Sequence, residues 1–98
     1  MARLSTHILD TAQGRPAAGV DVCLFDASRA QLKTVVTDAD GRALVDENLV
    51  PGVYELVFAV TSDFFDQVVI RFRIAEGEAR YHVPLLLSPY GYTTYRGS

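Results

Sequence analysis

One lysine, one methionine, one cysteine and no tryptophan occur among the 98 residues of this chain. With Cys23 alone, no internal disulfide can staple the fold, and a cytoplasmic setting is expected. The 9 basic residues are outnumbered by 12 acidic ones, for a formal charge of −3. A chain so charged has no basic stripe with which to neutralise a phosphate backbone, so nucleic acid is not an expected partner. No apolar run approaches the roughly 20 residues that cross a bilayer, and Met1 to His7 lacks the apolar stretch of a secretory leader. A membrane is therefore not an expected partner either. The glycines form no GxGxxG or phosphate-loop pattern, Cys23 has no CxxC partner, and two histidines without clustered carboxylates make no metal site. Neither a metal nor a cofactor is expected.

Helical periodicity is also missing, whereas the two-residue alternation of half-buried strands recurs along the chain. With 49% apolar residues there is enough for one core and one domain, residues 1–98. The clearest strand places Val68, Ile70, Phe72 and Ile74 on one face and Val69, Arg71 and Arg73 on the other. A second runs from Val53 to Val60 after the Pro51-Gly52 turn pair. Further strands are expected at Leu4 to Leu9, Val20 to Phe25, Leu32 to Thr37, Ala79 to Leu87 and Tyr90 to Tyr95. Ala75 to Arg80, with Gly77, reads as a hairpin connection. Short one-sided strands at such spacing predict an all-β sandwich of two antiparallel sheets with little or no helix.

Both histidines fall inside strands, where a single histidine is more often structural than catalytic. His7 shares a face with Ser5 and Leu9, and His82 with Pro84 and Leu86, while the opposite faces are Leu4, Thr6, Ile8 and Tyr81, Val83, Leu85. A strand apolar on both sides of its sheet suggests packing against another subunit. Arg42 leaves the turn Asp38-Ala39-Asp40-Gly41, in which Asp-Gly supplies positive φ at low cost. Its guanidinium is either solvated or available to bind planar oxygens bidentately. Tyr90, Tyr92 and Tyr95 crowd the final residues, so burial of this tail is expected, bringing Arg96 and the Ser98 hydroxyl with it.

The stretches Leu4-Ser-Thr-His7-Ile-Leu-Asp10, Gly14-Arg15-Pro16, Asp40-Gly41-Arg42, Tyr81-His82-Val83-Pro84-Leu85-Leu86, Ser88-Pro89-Tyr90 and Tyr95-Arg96-Gly97-Ser98 together resemble the 5-hydroxyisourate hydrolases, transthyretin-related proteins of purine breakdown. The likeness covers nearly the whole chain. It implies a transthyretin-like, eight-stranded sandwich assembled as a homotetramer, a dimer of dimers, with active sites at the two mouths of a central channel. It further implies His7, Arg42 and His82 as catalytic residues and Arg42, Tyr95 and Ser98 as substrate-binding ones. The implied substrate is 5-hydroxyisourate, whose cyclic amide is opened by water to a carboxylated ureidoimidazoline. Residues 61–67 are shorter than the link that carries a short helix in relatives, and the segment after Arg42 is trimmed as well. Two other readings share the strand pattern. One is a non-enzymatic carrier of an aromatic ligand in the same channel, which resembles this family in fold but replaces His7, Arg42, His82 and the Tyr-Arg-Gly-Ser tail. The other is a structural, adhesion-like sandwich, which the single cysteine disfavours.

Overall fold

The computed structural model describes every residue, Met1–Ser98, and contains no helix. Nine strands form in chain order: β1 (Ala2–Asp10), β2 (Arg15–Pro16), β3 (Asp21–Asp26), β4 (Gln31–Val36), β5 (Arg42–Leu49), β6 (Gly52–Phe58), β7 (Val68–Ile74), β8 (Arg80–Leu87) and β9 (Tyr92–Thr94). The first sheet runs β2-β1-β8-β9, with β5 also paired to β1; the second runs β4-β3-β6-β7. β5 lies along Ala2 to His7 and the two-residue β2 along Leu9 and Asp10, so both occupy the edge of β1 opposite β8.

The alternation seen in the sequence becomes the layer between the sheets. Leu4 and Ile8 from β1, Tyr81, Val83 and Leu85 from β8, Leu24 from β3, Leu56 and Phe58 from β6 and Val68 and Ile74 from β7 belong to one cluster of 17 buried residues. Buried polar groups are paired, as close packing in low dielectric demands. Thr6 Oγ1 donates to the Val83 carbonyl at 2.7 Å, and Arg71 donates to Glu55 at 3.0 Å.

Three expectations need correction. The sandwich is not wholly antiparallel, because β1 and β8 run parallel. Ala75 to Arg80 is not a hairpin turn, since β7 ends in the second sheet and β8 begins in the first. Alternation identifies strands but not the sheet that each one joins. The tail is docked by its backbone while its rings stay out: Tyr90 is 72%, Tyr92 41% and Tyr95 55% exposed. At one end of the sandwich Phe64 packs near Tyr90 and Phe65 edge-on to Tyr92, at 6.2 and 5.5 Å between ring centres. β5 has no counterpart among the strands read from alternation, because its pairing with β1 shifts register twice, between Ala2 and Leu4 and between Leu4 and Ser5.

Leu56 is fully buried at the centre of this layer. Leu56→Ala is expected to cost about 2–5 kcal/mol in urea unfolding, whereas Val36→Thr, at a position 57% exposed, should stay within about 0.5 kcal/mol.

Candidate active site

Arg42 is placed by a turn whose polar groups are nearly all used locally. Asp38 Oδ1 accepts from the backbone N–H of Asp40 at 2.9 Å and of Arg42 at 3.0 Å, while Asp38 N–H donates to the Arg42 carbonyl at 2.9 Å. Gly41 has φ 74° and is buried against β1: a Cβ there would lie 2.5 Å from the Ile8 carbonyl oxygen. No residue with a side chain fits this corner, which therefore fixes where β5 begins. Arg42 then sits opposite His7 in the antiparallel β1–β5 ladder.

On the other side of β1 the parallel ladder sets Ser5 beside His82 and His7 beside Pro84. Ser5 Oγ lies 2.9 Å from His82 Nδ1, and Nε2 has no hydrogen-bond partner within the chain. When Nδ1–H donates to Ser5, Nε2 carries the free lone pair. The tail closes over the same ring. Gly97 N–H donates to the His82 carbonyl at 2.6 Å, and a Cβ on Gly97 would collide with the imidazole at 2.6 Å from Cδ2. The ladder between β8 and β9 ends at Leu85 and Thr94 and resumes in the same register at His82 and Gly97. In the gap stands Pro84, which has no N–H to offer, and Thr94 Oγ1 donates to its carbonyl at 2.8 Å.

These pieces enclose an open depression of about 390 Å³ lined by Arg3, Ser5, Arg42, Arg80, Tyr81, His82, Gly97 and Ser98. Of the residues singled out from the sequence, Arg42, His82 and Ser98 line it. His7 is half-buried on the same outer face, between Arg42 and Pro84. Tyr95 is not brought to the depression; it lines a separate apolar groove with Ile70, Phe72 and Val83, where the chain leaves β9. Ser5, Arg3 and Arg80 were missed, although they lie two residues from His7, Ser5 and His82 on the same faces. Burial pushes the His82 imidazole below its ordinary pKa, and the charges of Arg42 and then His7 push the same way.

An antiparallel-rich sandwich with an imidazole, a guanidinium and a hydroxyl gathered on the outer face of one sheet defines the class: a transthyretin-fold protein carrying a polar site in place of a plain binding face. The comparisons specify it further. Residues 4–97 match the HIUase/Transthyretin family, to which this chain belongs. A 5-hydroxyisourate hydrolase from Mesorhizobium japonicum is 49% identical, across 98% of this chain and 92% of that protein. The structure of a 5-hydroxyisourate hydrolase from Klebsiella pneumoniae superposes with a TM-score of 0.86 at 38% identity, covering all of both chains. Sea bream transthyretin in complex with thyroxine superposes at 0.85 and 32% identity, covering 96% of this chain and 93% of that one.

A depressed His82 pKa means that the neutral ring is favoured in the folded chain. The group contributes stability above the ordinary histidine pKa of about 6.5, and that contribution is lost as pH falls through the folded value. In an NMR titration His82 is expected to protonate below pH 6.5, and Arg42→Gln should move its midpoint upward by removing a cation.

Proposed function

We propose that this chain hydrolyses 5-hydroxyisourate to 2-oxo-4-hydroxy-4-carboxy-5-ureidoimidazoline, opening a cyclic amide in urate breakdown. The observation that carries the reading is the convergence of His82, Arg42 and Ser98 on one depression beside His7, in a chain with full-length likeness to hydrolases of that name. Hydrolysis of a ring amide needs a base for water, a cation for the developing oxyanion and a wall for the ring. His82 suits the first task, because Ser5 holds Nδ1, Nε2 is unpartnered and the ring stays neutral near pH 7. Water loses its proton to Nε2 as its oxygen adds to the carbonyl carbon. Collapse of the tetrahedral centre breaks the C–N bond, and the proton passes from the imidazolium to the departing nitrogen. Arg42 faces the same depression without an acidic partner and so is free to stabilise the oxyanion and orient the ring. His7 positions the water from the neighbouring strand. Ser98 hydrogen-bonds the ring, and Tyr95 belongs to the tail that carries Gly97 and Ser98 into place.

A homotetramer, arranged as a dimer of dimers, is part of this proposal. Leu9, Leu44, Pro84 and Leu86 give the sheet that bears the site a second, outward apolar face, and a neighbouring copy would cover it. A cytoplasmic location accords with the unpaired Cys23. The carrier reading has the sea bream structure in its favour, but a channel that only holds an aromatic hormone has no use for an imidazole anchored by Ser5 and an unpaired arginine opposite.

Substrate generated in place by urate oxidase should decay faster with this protein than spontaneously. Folded His82→Asn and Arg42→Ala variants should each lose about 10²–10⁴-fold in kcat/KM, with His7→Asn also impaired. Parent-like turnover in all three would reject the site. Sedimentation velocity should give a tetramer, and a stable monomer with full activity would remove the subunit interface from the proposal.

A further inference from the structure

Arg3 and Arg80 have no part in the chemistry above, yet both line the depression. They are partners in the parallel β1–β8 ladder, so their side chains leave adjacent strands, about 4.8 Å apart, on the same face. Two like charges side by side across strands are destabilising. A nearby carboxylate ordinarily relieves such a pair, and none does so here. The three ion pairs of the chain join Lys33 to Asp46, Arg71 to Glu55 and Arg96 to Glu78. Glu78, the acid nearest Arg80 in sequence, is thus engaged by Arg96, which also stacks on Tyr81 at 4.4 Å and donates to the Arg80 carbonyl. With Arg42 across the same space, three of the nine cationic side chains of a net-acidic protein face one depression, and none of the three is in an ion pair.

We propose that Arg3 and Arg80 are specificity-determining residues of this site, a paired anion trap at its rim that draws in the ionised ring and holds it for Arg42 and His82. The inference rests on the hydrolase reading. A ring whose N–H groups are flanked by carbonyls ionises readily, and ring opening leaves a carboxylate, so negative charge is present throughout the reaction. Unpaired guanidinium groups at the mouth of a concave site concentrate such anions and speed their capture, and added salt screens the effect. Arg42, opposite His7 in the β1–β5 ladder, serves the transition state, whereas the Arg3–Arg80 pair acts on binding.

The test uses Arg3→Gln, Arg80→Gln, the double glutamine variant and the double lysine variant of the full chain. Two readouts are made: hydroxyisourate kinetics at low and high salt, and binding of urate, an intact purine anion, against hypoxanthine, a neutral one. In the double glutamine variant KM should rise roughly five- to twentyfold with kcat within about twofold, the salt dependence should flatten, and urate affinity should fall by a similar factor. Hypoxanthine binding should not change. The lysine variant, which keeps the charge, should recover the salt dependence and most of the affinity. Parent-like KM and parent-like salt dependence in the double glutamine variant would overturn the proposal. If the parent itself fails to accelerate decay, the hydrolase reading falls, and the urate arm still decides: equal urate affinity in parent and double glutamine variant refutes the anion trap. If the double variant does not fold, each single variant carries the same comparison.

Discussion

Eight residues of β1, Arg3 to Asp10, lie beside Arg80 to Leu87 of β8 in unbroken parallel register, and the rest of the site depends on that pairing. Because side chains alternate across a strand, a slip of one residue in β8 would turn His82 into the core and Tyr81 outward, and a slip in β1 would do the same to Ser5 and Leu4. Burial of Leu4, Ile8, Val83 and Leu85 forbids such a slip. The hydrophobic core therefore sets the polar geometry: the same apolar side chains that join the sheets determine which imidazole meets which hydroxyl. β5 adds Arg42 from the opposite edge of β1, and its entry point is held by the corner at Gly41.

Much of this was legible in the sequence. Period-two patterning located most strands, and face parity grouped His7 with Ser5 and Leu9 and His82 with Pro84 and Leu86, sides that the structure turns away from the core. β5 was not legible from alternation, because register shifts against β1 break the pattern along Ala43 to Asn48. The parallel run of β1 and β8 was not legible either, since a strand carries no local mark of its neighbour's direction. The tail misled for a different reason. Three tyrosines suggested burial of rings, whereas the backbone does the docking through the β8–β9 rungs and the contact of Gly97 with His82, leaving the rings exposed. A glycine in a terminal tetrapeptide gives no warning that its missing Cβ is what lets the chain lie against an imidazole.

Electrostatically the molecule is divided. It is acidic overall, yet the depression collects arginines, and burial, then the charges of Arg42 and His7, lower the His82 pKa. The two effects serve one end. A cationic surround favours anions near the ring and, by lowering the imidazole's basicity, favours its neutral form, so Arg42 both attracts anions and disfavours the imidazolium.

The proline in β8 has a mechanical meaning. By withholding an N–H between the last β9 rung and the isolated contact at Gly97, Pro84 divides the attachment of the C-terminal segment into a three-residue ladder and a single latch. The latch consists of one backbone hydrogen bond, the stacking of Arg96 on Tyr81 and the bonds of Arg96 to Glu78 and the Arg80 carbonyl, none of them shared with β9. The wall that Gly97 and Ser98 provide is thus held by contacts separate from those of the β9 ladder and of the sandwich core.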